Sequence, residues 1–286
     1  MSQKIKSYKV SLSAKRFFSY ALLVFLTAVS LLPFFVLVIN STRMHSQLIS
    51  GFSFVPGTSF FRNLANLFAN KDTPVLTALF NSVFVSFSAA LLATYFSAMT
   101  AYGIYMYNFK GKKIAFRVIM AIMMIPTQVT ALGFVQLITR MHLMNSLLPL
   151  VIPAVASPVV FFFMLQYLRS SLPSSIVEAS RIDGCNEFVT FNHIVFPMIK
   201  PAVAVQFIFT FVSSWNSYFL PALILSSKNK KTIPIIIAQL RSADFMKFDL
   251  AQVYSLVFIA IIPLLVIYLI FSKQIIGGVT MGGVKD

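Results

Sequence analysis

The stretch from Leu172 to Pro197 reads LPSSIVEASRIDGCNEFVTFNHIVFP and predicts two short helices joined at a glycine. Ser175 and Glu178 have the spacing of a capping box, which predicts the start of the first helix. Gly184 suits the left-handed conformation with which many helices end. The segment is therefore expected to fold as a helix, a tight turn and a second helix.

The residues after the glycine predict the second helix, from about Asn186. Pro197 is expected to close it, and Pro201 falls in the first turn of the next apolar run. Both short helices carry apolar positions beyond what lipid requires, which favours a docking surface for another protein. A pair of amphipathic helices lying on a bilayer explains the same pattern. The residues alone leave both interpretations open.

Composition places the rest of the chain in a membrane. Of 286 residues, 58% are hydrophobic and 10% are charged, whereas soluble domains carry about 25% charged residues. The net charge of +16 fits basic cytoplasmic loops and attraction to anionic lipid. Nucleic-acid binding is not predicted, because the basic residues lie in separate loops. The single cysteine, Cys185, excludes an intramolecular disulfide framework and a cysteine-based zinc site.

Six apolar runs are long enough to cross a bilayer, at about 20 residues per span. The first is too long for a signal-peptide core and is expected to remain as a span with a kink at Pro33. The third is interrupted at Pro126, and a short amphipathic helix is predicted at Phe61–Phe68. The runs cover residues 17–39, 75–107, 118–139, 147–168, 201–225 and 250–271.

These runs divide the chain into three predicted segments. Residues 1–74 hold a basic N-terminus, the first span and an outer loop. Residues 75–271 hold five further spans and a cytoplasmic loop at 169–200, and residues 272–286 form a cytoplasmic tail. Six spans put 14 Lys and Arg residues on one side and 9 on the other, which predicts both termini in the cytoplasm. The expected fold class is an all-α, polytopic membrane protein.

The six runs contain no Asp, Glu, Lys, Arg or His. Ionisable groups within a membrane usually mark proton or ion relays, so their absence disfavours a proton-coupled transporter. It also removes the acid–base and metal-binding groups that a membrane enzyme needs. No catalytic residue and no metal ligand is therefore predicted.

The spacing of Glu178, Ala179, Gly184, Ile194 and Pro197 resembles the EAA loop of ABC-importer permeases. The likeness runs from about residue 61 to the C-terminus. It departs mildly where serine and phenylalanine, at 180 and 196, replace the usual alanine and leucine. The Met-Ile-Pro run at 124–126, the Trp-Asn pair at 215–216 and the Gly-Gly-Val-Lys tail at 282–285 resemble the carbohydrate branch, in particular the second permease of maltose-type systems.

This resemblance implies a type I ABC-importer permease fold in a bacterial cytoplasmic membrane. The partners that it implies are a second permease, two cytoplasmic ATPase subunits, an external solute-binding protein, a sugar and membrane lipid. The chain has no Gly-x-x-x-x-Gly-Lys-Ser/Thr phosphate loop, so ATP and magnesium are expected on the ATPase and no cofactor on this chain. The residues implied to contact the ATPase are Glu178, Ala179, Ser180, Asp183, Gly184, Ile194 and Pro197, with Gly282, Gly283 and Lys285 of the tail.

Polar and aromatic residues within the spans are candidates for contact with a sugar. The same residues also form ordinary hydrogen bonds between membrane helices. The candidates are Asn81, Gln128, Ser214, Trp215, Asn216 and Tyr218.

Three alternatives remain open from the sequence. The first alternative is an importer for another solute, such as an amino acid or phosphate. The second is a secondary transporter or channel that works alone. The third alternative is a membrane scaffold without transport activity. The sequence names neither the sugar nor the partner proteins.

Overall fold

The structure, a computed structural model, describes residues 2–243 and 248–283. Every regular element within those residues is a helix, which confirms the all-α prediction. The chain folds into two compact units. One comprises residues up to 69 with residues 243–258, and the other comprises residues 70–242 with the chain from 259 onward. The predicted segment boundaries at 74 and 271 follow the expected membrane topology and stay a prediction.

The first unit begins with three helices, which are α1 (Ser2–Ser41), α2 (His45–Ile49) and α3 (Phe60–Ala69). Helix α1 stays helical through Pro33, and α3 confirms the predicted short helix. The side-chain amide of Asn63 donates to the carbonyl oxygens of Ser41 and Arg43, each at 2.9 Å. These two bonds hold α3 against the end of α1.

Twelve helices follow in the described part of the chain. They are α4 (Val75–Met106), α5 (Lys112–Met123), α6 (Thr127–Arg140), α7 (Leu148–Val151), α8 (Pro158–Ser171), α9 (Ser174–Ile182), α10 (Glu187–Val189), α11 (Phe196–Met198), α12 (Lys200–Trp215), α13 (Phe219–Ile224), α14 (Ile233–Arg241) and α15 (Leu250–Gly283). Short 3₁₀ segments lie at Ile152–Ala156 and Lys228–Lys230, and a π-helical segment lies at Thr190–Val195.

Four helical stretches in the described residues are long and apolar enough to cross a membrane singly. Two bent helix pairs raise the number of candidate spans to as many as six, if each pair is one span. Six equals the number of apolar runs, although the second pair begins at Glu187, before the fifth run. The four single stretches are Lys15–Ser41, Val75–Met106, Leu148–Ser171 and Leu250–Gln274.

The two bends lie beside prolines. Helices α5 and α6 meet at 99° across residues 124–126, where Pro126 is the N-cap of α6. A proline disfavours helical geometry at the residue before it, so the third apolar run becomes two helices. The second bend, of 81°, separates the helical segment Glu187–Met198 from α12. Pro201 lies in the first turn of α12, as predicted.

Helix α4 is the centre of the second unit and packs against α8 and α12. Its buried side chains are mostly small, and Ala90, Ala93, Ala98 and Ala101 have no exposed surface. Small residues let neighbouring helices approach closely, which is the usual packing of membrane helices. Toward its C-terminal end, α4 packs against α8 and the segment that follows it through Met164, Leu168, Val177 and other buried residues.

Candidate functional site

The predicted two-helix segment is present, but its first helix starts earlier than the capping box implies. The N-cap of α9 is Pro173, and Ser175 lies in the first turn. The capping-box prediction is wrong because Pro173 has an extended backbone (φ −67°, ψ 133°) and the chain enters the helix directly after it. Glu178 consequently lies in the body of α9, where it is exposed.

The glycine turn confirms the prediction for Gly184, which has a φ of +79°. The Cys185 N–H donates to the Ser180 carbonyl at 3.0 Å, and the Gly184 N–H donates to the Arg181 carbonyl at 3.1 Å. This pair of bonds is the Schellman motif that ends many helices. A Cβ at Gly184 would meet nothing within 4 Å, so backbone conformation rather than space makes glycine the preferred residue.

The second helix begins as predicted at Asn186, whose side chain accepts a hydrogen bond from the Val189 N–H at 2.9 Å. It continues through the π-helical residues and ends at Met198. Pro197 therefore lies inside the last short helix, one residue before its end. We call residues 169–200 the coupling segment, α9 its first arm and Glu187–Met198 its second arm.

A buried contact joins the two arms. The Ser180 hydroxyl donates to the Val177 carbonyl at 2.7 Å and lies 3.1 Å from the Thr190 hydroxyl. Val177, Phe191 and other side chains of the same cluster are almost fully buried. Serine at position 180 is therefore a hydrogen-bonding member of the interface between the arms, and not merely a small residue.

Four further side chains surround the turn. The Arg181 Nε donates to Glu187 Oε1 at 2.7 Å, and the Tyr102 hydroxyl donates to Glu187 Oε2 at 2.8 Å. The Arg181 guanidinium also lies over the Tyr107 ring, 5.4 Å from its centre. We call these four residues the polar clamp.

The electrostatics of the polar clamp favour a charged Glu187. Burial alone would raise the pKa of its carboxyl, but the interactions with Tyr107, Arg181 and Tyr102 outweigh burial and hold that pKa below its ordinary value. The hydrogen bond to Glu187 raises the pKa of Arg181.

The exposed tip of the segment is apolar. Ile182 is 87% exposed and Phe188 is 67% exposed, on either side of the Gly184 turn. Both are apolar positions of the two predicted short helices, but neither was among the predicted site residues. Their position beside the glycine could have identified them as exposed, since an apolar side chain next to a turn finds no neighbour within the segment. The arrangement presents two large hydrophobic side chains on a hydrogen-bonded base.

Some of the residues predicted to contact an ATPase are exposed, and others are buried within the segment. Glu178, Ala179, Asp183, Gly184 and Pro197 are exposed. Ser180 is buried and Ile194 is half-buried, so these two shape the segment from within. In the predicted tail, α15 continues through Gly282 and Gly283, and Lys285 lies outside the described residues.

A cavity of about 540 Å³ lies between α4, α6, α7, α12, α13 and the loop before α14. Among its described lining residues none carries a charge, and hydroxyl groups are frequent. Its hydroxyl-bearing residues are Ser82, Ser86, Thr127, Thr130, Thr210, Ser213, Ser214, Ser217 and Thr232. Apolar atoms form most of the wall and the hydroxyl groups are scattered over it, so the wall suits an uncharged molecule that can form hydrogen bonds.

The structure places one predicted pathway residue, Ser214, in the wall of this cavity. Trp215 is 3% exposed and stacks on Phe211, with ring centres 5.8 Å apart. The Asn81 amide donates to the carbonyl oxygens of Asn229 and Lys231, at 2.9 and 3.0 Å. Gln128, Asn216 and Tyr218 are exposed. Their contact with a solute stays a prediction.

A family comparison identifies the chain. Residues 93–275 match the family described as "Binding-protein-dependent transport system inner membrane component". The chain belongs to this family. It is a multi-pass permease of the cell membrane, and the predicted fold class and location are confirmed.

Individual relatives agree over nearly the whole permease. It is 35% identical to an arabinooligosaccharide transport system permease of Bacillus subtilis, over 93% of this chain and 95% of the relative. It is 27% identical to a lactose transport system permease of Rhizobium radiobacter, over 93% and 95%. The fold is similar to the crystal structure of a bacterial ABC transporter that imports the acidic polysaccharide alginate, with a TM-score of 0.79 and 18% identity, over 91% of this chain and 95% of that chain.

The threonines of the cavity wall were not predicted from the sequence of the permease. Thr127, Thr130, Thr210 and Thr232 all line the cavity, and none was a candidate. Isolated threonines in apolar runs give no signal by themselves, because they also bond to the carbonyl of the preceding turn. Only the three-dimensional packing of several helices brings their side chains together.

Proposed function

We propose that the permease forms half of a translocation pathway for a neutral sugar or oligosaccharide. The named solutes of two relatives, arabinooligosaccharides and lactose, support this solute class. The lack of charge among the described lining residues of the cavity supports it independently, since a site for an anion is expected to contain basic side chains. A second permease supplies the other half of the pathway, and an external solute-binding protein delivers the sugar.

The energy comes from two cytoplasmic ATPase subunits that bind ATP and magnesium, and the permease itself hydrolyses nothing. The coupling segment docks on the ATPase through Ile182 and Phe188, and the exposed Glu178 and Asp183 add polar contacts. The observation that carries this proposal is the apolar tip on a hydrogen-bonded base, because large exposed apolar side chains are typical anchors of protein interfaces. The tail residues Gly282, Gly283 and Lys285 are proposed as a further contact with the ATPase.

A copurification experiment tests the docking. The double variant Ile182→Asp with Phe188→Asp should still bring down the second permease but lose the ATPase and ATP-driven uptake. The matched control is Ile114→Asp, which changes a 66% exposed isoleucine at the start of α5. Normal ATPase binding and uptake by the double variant would contradict the proposal.

A transport assay tests the solute class. The permease, its partner subunits and the binding protein are reconstituted in liposomes and supplied with labelled neutral disaccharides or with uronic-acid disaccharides of equal size. We expect uptake of a neutral sugar and none of the acidic ones. Equal uptake of an acidic disaccharide would show that the uncharged cavity does not set the solute class.

A further inference from the structure

The polar clamp adds an ion pair and a charge-assisted hydrogen bond to the contacts that join three elements, which are the two arms and α4. The ion pair between Arg181 and Glu187 joins the first arm to the second across the glycine turn. The hydrogen bond from Tyr102 then joins the second arm to α4. Glu187 therefore uses one carboxylate oxygen for each connection.

Helix α4 links the clamp to the cavity. Tyr102 lies near its C-terminal end, and Ser82, Ser86 and Ala89 of the same helix line the cavity. Tyr102 and Ser86 are about 24 Å apart along the helix axis, at 1.5 Å per residue. Because α4 is one unbroken helix from Val75 to Met106, a displacement of its cytoplasmic end is carried to the cavity wall.

We propose that Glu187 is a positioning residue that makes both arms move as one body with α4, so that motion of a docked ATPase reaches the cavity. This inference rests on the proposed function, since it assumes that the ATPase binds the exposed tip. Without the carboxylate, the Gly184 turn opens under load and the motion of the tip is lost before it reaches α4. Glu187 was not among the residues that the sequence singled out.

Other contacts keep the segment folded without the clamp. The Tyr95 hydroxyl donates to Asn192 Oδ1 at 3.0 Å, and the Tyr105 hydroxyl donates to the Leu172 carbonyl at 2.9 Å. Val177 and Phe191 stay buried between the arms and α4. Removal of the Glu187 carboxylate should therefore leave the segment in place and change how firmly its two arms are joined.

The test measures the number of ATP molecules hydrolysed per sugar transported, in liposomes that hold the complete transporter and its binding protein. Glu187→Ala should keep ATPase binding and raise this ratio about threefold or more, since a charge-assisted bond is lost. Tyr102→Phe should raise it less, because the two arms stay paired. Arg117→Gln is the control, since Arg117 is an exposed arginine of α5 and lies outside the coupling segment.

The charge-swapped double variant Arg181→Glu with Glu187→Arg separates the two connections. It restores an ion pair between the arms, and it is combined with Tyr102→Phe because the Tyr102 oxygen could otherwise accept a hydrogen bond from the new arginine. We expect the swap to restore only part of the normal ratio. Full restoration would overturn the role of Tyr102.

Three results separate this inference from the proposed function. An unchanged ratio in Glu187→Ala would overturn the inference, and so would an equal fall in hydrolysis and uptake, which indicates a merely structural role. Failure of the unaltered permease to bind an ATPase would overturn the proposed function instead. Glu187→Gln, which keeps the size and one acceptor oxygen, should lie between the unaltered permease and Glu187→Ala.

Discussion

The coupling segment takes its geometry from consecutive residues, whereas the cavity takes its wall from helices spread over most of the second unit. The segment also contains charged side chains that hydrogen bonds hold in position, since one carboxylate is bonded to both an arginine and a tyrosine. The cavity has no charged residue among its described lining residues. The charged side chains thus lie where the ATPase is expected to move the permease, and neutral hydroxyl groups lie where a solute is expected to pass.

The two regions also differ in how firmly they are held. Hydrogen bonds and an ion pair fix the segment at a turn with one preferred residue, Gly184. The cavity is bounded by apolar and hydroxyl side chains, some of which have spare hydrogen-bonding capacity, such as Ser86 and Thr232, whose buried hydroxyls have no partner among the described residues. Because these two hydroxyls are buried, they can bond to a solute only when the wall rearranges.

The largest expected effect concerns Trp215. Trp215→Ala should lower the stability of the permease by about 3–5 kcal/mol, because it opens a hole in a buried aromatic cluster. Unfolding of the purified permease by sodium dodecyl sulfate measures this loss. Tyr218→Ala is the control, since Tyr218 is 49% exposed. Normal stability with impaired uptake would instead place Trp215 in the pathway.

Gly184→Ala should strain the turn by about 1–2 kcal/mol, because an L side chain disfavours a positive φ. A strained turn opens more often, so a thiol reagent should label Cys185 about tenfold faster. Gly111→Ala is the matched control, because Gly111 resembles Gly184 in its positive φ, of +93°, and in its open surroundings. Equal labelling of the Gly184→Ala variant and the unaltered permease would show that the turn is not held in one conformation.

Asn81→Ala should loosen the loop at residues 228–231 without changing the cavity wall. The lost bonds to the Asn229 and Lys231 carbonyls are worth about 1 kcal/mol each, so trypsin should cut after the lysines of this loop several-fold faster. Gln128→Ala, at an exposed position, should leave the cutting rate unchanged. An intact loop combined with a weaker apparent affinity for sugar would instead favour a pathway role for Asn81.

The smallest effect is expected on changing pH. Since the folded-state pKa of Glu187 is lowered, its contribution to stability is present above the ordinary carboxyl pKa of about 4.3 and is lost as pH falls through the lowered value. Fluorescence anisotropy of a dye on Cys185 should stay constant from about pH 9 to 5 and fall only in stronger acid. The same dye on the Glu187→Gln variant should show no such acid transition.

Sequence reasoning predicted the features that depend on neighbouring residues. Gly184, Asn186 and Pro201 each play the expected part, because helix ends are determined within one turn. The capping box at Ser175 failed for a local reason as well, since Pro173 starts the helix first.

Neither the polar clamp nor the cavity could be predicted from the sequence, and the physical cause is the same for both. Tyr102 and Glu187 are 85 residues apart in the chain, and nothing near either residue specifies the other. The cavity wall needs the packing of α4 on α12 and the sharp bend before α6, and neither follows from hydrophobic periodicity. Long-range packing, rather than local propensity, decides both features.

The bend at Pro126 has a consequence for water. A helix that stops within an apolar run leaves backbone N–H and C=O groups without partners, and irregular backbone at membrane depth is tolerated only where it is buried in protein or lines a water-filled cavity. Thr127 and Thr130, in the first turn of α6, line the cavity. The Met124 and Ile125 N–H groups donate to the carbonyls of Ala121 and Ile122, so the unpaired N–H groups are those at the start of α6. Water in the cavity can pair with them, and the amide protons of residues 127 and 128 should exchange with solvent deuterium faster than those of the unbroken α4.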